Sequence, residues 1–111
     1  MKLSVAIAGS EALSSAFVVW RGFEDSIRKA ADYGYKGVEL ALKTAEEINR
    51  DDLAGWLANS GMEVSCISTG QVYADSGLYF THPDFEMRNK VIERFKGFID
   101  LAKDFGGLVN V

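Results

Sequence analysis

The segment Ala31-Asp32-Tyr33-Gly34-Tyr35-Lys36-Gly37-Val38-Glu39-Leu40 decides how the chain is read, because it passes from helix end to strand almost without a loop. Upstream of it, Phe23, Ile27, Ala30 and Ala31 fall on one helical face. Glu24 and Asp25 in the first turn, with Arg28 and Lys29 later, suit the helix dipole. Gly34 stops the helix, as glycine commonly does just past a C-terminus. Lys36–Leu40 then forms a short strand.

The same unit recurs on either side. Leu3–Ala8 is a short apolar run with the profile of a strand buried on both faces, and Gly9–Gly22 is a long connection to the first helix. Downstream, Asn49 caps a helix with Asp52 three residues on. Leu53, Trp56, Leu57 and Ser60 share a face of it, Gly61 ends it, and Met62–Ser68 is a third strand. A polar loop leads to Asp84, which caps a long helix with Val91, Ile92, Phe95, Ile99, Ala102 and Phe105 as its apolar positions. Gly106-Gly107 breaks that helix, and Leu108–Val111 begins a fourth strand.

Repeated strand, helix, strand order specifies right-handed crossovers and a parallel sheet. A flavodoxin-like sheet suits the length of 111 residues. The long strand-to-helix connections and short helix-to-strand turns favour instead a barrel, whose working loops lie at the C-terminal ends of the strands. A closed barrel takes roughly 250 residues. The expected fold is therefore α/β, of the parallel (β/α) TIM-barrel type, with only the first three βα units and the start of strand four. Residues 1–111 would be the N-terminal part of one incomplete domain, with an open sheet edge through which the chain could self-associate as a homo-oligomer.

Composition narrows the function classes. The chain is 48% apolar and 25% charged, which is ordinary globular material. A net charge of −4, with twelve Lys and Arg mixed among the acids, argues against a nucleic-acid surface. No apolar stretch approaches a membrane span. Cys66 is the single cysteine and cannot make an internal disulfide, which fits a cytoplasmic location. Gly9-Ser10-Glu11 is too poor in glycine for a phosphate-binding fingerprint.

Three segments carry a family resemblance: Ala31–Leu40, Leu57-Ala58-Asn59-Ser60-Gly61-Met62-Glu63-Val64, and His82-Pro83-Asp84-Phe85-Glu86-Met87-Arg88 taken with Ile99–Gly106. In order and spacing they resemble the N-terminal part of the xylose isomerase-like barrel superfamily, the sugar-phosphate isomerase/epimerase group. The resemblance implies a metal-dependent sugar or sugar-phosphate isomerase or epimerase that moves a proton at a carbon beside a carbonyl. It implies a divalent metal (manganese, magnesium, cobalt or zinc) held by Glu, Asp and His from strand four onward, so that this stretch alone would bind no metal and be inactive. Rivals within the superfamily are an inosose-dehydratase-like and an apurinic-endonuclease-like enzyme. A rival of another class is a non-enzymatic half-barrel binding module.

No catalytic residue or metal ligand is assigned within these residues; the candidates are for substrate binding. Glu39, at the end of the second strand, either orients a sugar hydroxyl, pairs with an arginine from a later strand, or is a structural carboxylate. Thr69, Gly70 and Gln71, directly after the third strand, offer a hydroxyl, a close-approach backbone and an amide suited to polyol recognition. Trp20 is either the apolar wall of a sugar pocket or a lid packed on the first helix. Cys66 reads as a packed core thiol, Trp56 as core, and His82 as a solvated loop residue near a helix start, since one histidine does not make a metal site.

Overall fold

The computed structural model describes all residues, Met1–Val111. In chain order it contains β1 (Ser4–Ala8), β2 (Trp20–Arg21), α1 (Phe23–Asp32), β3 (Gly37–Ala41) and a single 3-10 turn at Ala45–Glu47. Then follow α2 (Arg50–Ser60), β4 (Glu63–Ser68), α3 (Gly70–Ser76), α4 (Phe85–Phe105) and β5 (Leu108–Val109). The strands form one sheet in the order β2-β1-β3-β4-β5, and every pairing is parallel.

Numerically this is the flavodoxin-like order, yet the topology is not flavodoxin-like. β2 is two residues long and is reached from β1 through Gly9–Val19 without a helix. The strands that follow helices, β3, β4 and β5, each step to the same side of the one before, as in a barrel. The packing agrees. Val5, Ile7, Val38, Leu40, Val64 and Ile67 from the strands share one core with Ile27, Ala30, Leu53, Leu57, Val91, Phe95, Phe98 and Leu101 from the helices. Helices thus cover one face only, whereas a doubly wound sheet carries them on both.

The opposite face is built mostly from small and polar residues, with Leu108 the exception. Ala6, Glu39, Cys66 and Leu108 stand in register across it. A register shift beside Val38 and Glu39 inserts Ser65 as an extra residue of β4; its Oγ donates to the Val38 carbonyl at 3.2 Å and lies 2.5 Å from Ser4 Oγ. The expected burial of β1 on both faces therefore does not occur: Val5 and Ile7 lie under the helices, while Ser4 is exposed and Ala6 half-buried on the open face.

Local signals place the helices. Asn49 Oδ1 accepts the Asp52 N–H at 2.9 Å, and Asp84 Oδ1 accepts that of Glu86 at 2.8 Å, each satisfying a donor the helix itself leaves unpaired. Arg50 of α2 reaches Asp100 and Asp104 of α4, which ties the two helices across the outer surface.

Three expectations need correction. The buried stripe of α4 is Val91, Phe95, Phe98 and Leu101, with Ile92 and Ile99 exposed, so the stripe runs beside the predicted one. The polar loop after the third strand contains α3, a helix too short to show a period. Trp56 is half-buried at the margin of the core rather than within it.

Candidate functional site

Parallel strands all end on the same side, so the turns after β1, β3, β4 and β5 converge there. Two clefts open among those turns on the side of β4. One, of about 220 Å³, lies between Leu13–Phe17 of the first connection and Ala41, Ser68, Gly70, Gln71 and Ala74. The other, of about 380 Å³, lies between α3 and the start of α4, lined by Thr69, Tyr73, Tyr79, Phe80, Phe95 and Asn110 among others. A third and larger cleft, of about 560 Å³, sits over the start of α1 with Gly9, Glu11, Glu24, Lys43, Glu47 and Trp56 on its walls. Glu47 is already engaged there: its Oε2 accepts the N–H groups of Lys43 at 2.6 Å and Thr44 at 3.2 Å.

β3 continues to Ala41, so Glu39 sits in the middle of the strand rather than at its end. Alternation puts it on the open face, because Val38 and Leu40 on either side are fully buried under the helices. Its register partners are Ala6 and Cys66. The Cys66 thiol is pushed above its ordinary pKa, first by burial and then by the nearby negative charge of Glu39, against a weaker lowering by a backbone hydrogen bond at Asn110. Cys66 is consequently a thiol that holds its proton, half-buried on the open face rather than in the helix-side core.

Thr69 is buried and committed. Its N–H donates to Asn110 Oδ1 at 3.0 Å and its hydroxyl donates to the Asn110 carbonyl at 2.9 Å, stitching the end of β4 to the residue after β5. Gly70 opens α3, and a Cβ built on it would meet nothing. Gln71, 5% exposed, donates from Nε2 to the Ala41 carbonyl at 2.8 Å, while its Oε1 is buried without a partner. Lys43 reaches Asp75 at 3.8 Å, so the turn after β3 and the helix after β4 are linked twice.

Trp20 lines none of these clefts. Its ring stacks on Tyr33 with centroids 5.8 Å apart, meets Tyr35 edge-on, and carries Lys29 Nζ over its face at 5.2 Å. It therefore packs on the helix side, beside the end of α1. His82 is half-buried against Tyr79, and its Nδ1 accepts the Asp84 N–H at 3.0 Å. Its role is to shape the start of α4. Sequence reading gave it to solvent because the contact is made by a loop folding on itself.

The one-sided parallel sheet with its sequential strand order is the wall of a β/α barrel. A sequence profile described as xylose isomerase-like TIM barrel matches residues 27–111. The chain belongs to the xylose isomerase-like TIM barrel family. The match begins within α1 and takes in β3, β4 and β5, the strands whose sequential pairing distinguishes a barrel from an open doubly wound sheet. Comparison with curated proteins gives no match. No three His, Cys, Asp or Glu side chains converge anywhere in the molecule. The donors present here do not fit a divalent cation, which takes several oxygen or nitrogen ligands at once. Within this xylose isomerase-like chain, Glu39 is a single carboxylate whose in-line neighbours are an alanine and a thiol.

Proposed function

We propose that this chain forms one wall of the substrate site of a sugar or sugar-phosphate isomerase or epimerase, in which a proton is moved at the carbon beside a carbonyl. The observation that carries this reading is Glu39: a carboxylate on the uncovered face of a family barrel sheet, in register with Ala6 on one side and Cys66 on the other rather than with large apolar side chains. Such a surface leaves room for a ligand and offers hydrogen bonds to hydroxyl groups. Glu39 would accept a substrate hydroxyl. Thr69 would act as a positioning residue, since its donors are spent on Asn110. Gly70 and Gln71 would line the mouth beside it. Trp20 would hold β2 to α1 without touching substrate. The acid–base pair and any divalent metal would come from the further strands of a closed barrel, since the donors in these five strands do not fit a metal.

The test is hydrogen exchange with D2O at the carbon beside the carbonyl, followed by proton NMR over a panel of aldoses, ketoses and their phosphates, with manganese present. It uses protein carrying a complete eight-stranded barrel. Exchange is expected with at least one sugar, and Glu39→Gln should reduce it by about tenfold or more, the cost of losing a hydrogen bond to a charged acceptor. A folded barrel that exchanges no sugar hydrogen, or a Glu39→Gln variant as active as its parent, defeats the proposal.

A further inference from the structure

The upper end of the open face is covered, although no helix of the core lies on that side. Ala8 and Ala41 are in register there, and Ser68 continues the row. Alternation points both alanines away from the helices, since Ile7 and Leu40 beside them belong to the helix-side core. Yet Ala8 is 0% and Ala41 6% exposed. The first connection and Gln71 form the cover: Leu13, Ser15, Ala16 and Phe17 stand across the cleft of about 220 Å³ from Ala41 and Ser68, with Gln71 beside them. Glu39 lies two residues before Ala41 on the same face, so the connection roofs the row immediately above it.

Little holds this connection in place. Its own main-chain hydrogen bonds are local, from Ala12 N–H to the Gly9 carbonyl at 3.1 Å, Ala16 to Leu13 at 3.0 Å and Val18 to Ala16 at 2.9 Å. Phe17 points to solvent and is 100% exposed. One side chain alone hydrogen-bonds the stretch. Arg21 Nη2 donates to the Leu13 carbonyl at 2.8 Å and reaches that of Ser14 at 3.5 Å. The register of β2 explains the aim: Trp20 pairs with Ile7 and goes to the helix side, whereas Arg21 pairs with Ala8 and goes to the open face. Arg21 takes part in no ion pair, so no carboxylate competes with the two carbonyls for its donors.

We infer that Arg21 is a positioning residue of the proposed site: it latches the first connection over the upper end of the open face, so that Glu39 works beneath a ready-made roof. A substrate then meets a connection already in place and need not order it on binding. Without the latch only a fraction of molecules carry the roof in position. Apparent affinity falls by that fraction, while the chemistry of the bound state is untouched. The consequence for substrate rests on the sugar-site reading; the latch itself does not.

The experiment compares Arg21→Met, which keeps the aliphatic stem and removes the donors, with its parent. Amide hydrogen exchange of the chain should quicken about three- to tenfold at Ala16 and Val18, the worth of one hydrogen bond. Val19 and Gly22, whose N–H groups donate to the Ala6 and Ala8 carbonyls, should keep their protection. Arg21→Lys, with one cationic head for the Leu13 carbonyl, should recover part of the difference, and it replaces Arg21→Met against the parent if that variant does not fold. In a complete barrel, Arg21→Met should raise KM for sugar hydrogen exchange by about the same factor and leave kcat within about twofold, the mark of a residue that acts before the transition state. Amide exchange at Ala16 and Val18 equal to the parent's overturns the inference. So does an equal loss of protection at Val19 and Gly22, which would make Arg21 a support of β2 only, or a fall in kcat with KM unchanged. A complete barrel that moves no sugar hydrogen while the amide pattern holds upholds the latch and counts against the isomerase reading alone.

Discussion

Glu39 and Cys66 face one another across β3 and β4, and each is a probe of the other. The native state holds the thiol proton more tightly than the unfolded chain does, because burial and the carboxylate both oppose a thiolate. The sign follows from proton linkage. Stability is unaffected below the ordinary thiol pKa and falls as pH rises from there through the raised native value, since the unfolded chain ionises first. Glu39→Gln removes the second cause and leaves the first. The variant should therefore alkylate faster with iodoacetamide than its parent at the same mildly alkaline pH, with the rate–pH midpoint moved down but still above that of a free cysteine. An unchanged profile would mean that Glu39 points away from Cys66. The facing of Glu39 was legible in the sequence, because Val38 and Leu40 bracket it and a strand has a period of two. The burial of Gln71 was not. It depends on α3, whose seven residues are fewer than the periodicity of a helix needs to declare itself.

At the level of elements, glycine placement was the most readable feature and the phase of α4 the least. Gly34, Gly61 and the Gly106-Gly107 pair all fall where a helix ends, as the sequence implies, and all four have positive φ. The α4 stripe drifted because Ile92 and Ile99, as apolar as their neighbours, satisfy a helical period without being covered. β2 was missed because two residues carry no alternation, and it exists only through main-chain pairing to Ile7 and Ala8. Gly107 has a further duty. A Cβ there would come within 3.0 Å of the Val64 carbonyl oxygen and 3.1 Å of the Ser65 carbonyl, at a φ of +84°. Both neighbours are backbone at the register shift of β4 and cannot swing aside. Gly107→Ala should consequently detach β5, at a cost of about 1–3 kcal/mol. The measurement is amide hydrogen exchange of Asn110, whose N–H donates to the Ile67 carbonyl at 3.1 Å in the native sheet. Protection there should be lost while that of α1 and α2 persists. Retained protection at Asn110 would show that the backbone yields at the bulge.

For the whole molecule, the decisive property is that one sheet face is covered and the other is not. A closed family barrel hides its strand edges by pairing the first strand with the last. Here β2 covers only the upper end of β1, where Ile7 and Ala8 pair with Trp20 and Arg21. On the other side β5 pairs with β4 alone. Leu108, on the open face beside this edge, is 75% exposed. Unpaired main-chain donors and acceptors beside an exposed leucine form a template for another strand. Natural sheets guard such edges with lysine, and no lysine stands within β5. The chain should accordingly associate with itself as its concentration rises, through β5 rather than through the helical surface. Sedimentation velocity over a concentration series should show a mass that grows beyond one chain. Leu108→Lys should restore the single-chain mass without changing the far-ultraviolet circular dichroism, because the substituted side chain reaches open solvent. Ile99→Lys, 60% exposed on α4, serves as the contrasting position. If it abolishes association and Leu108→Lys does not, the contact runs through the helices and the sheet edge is not the adhesive surface.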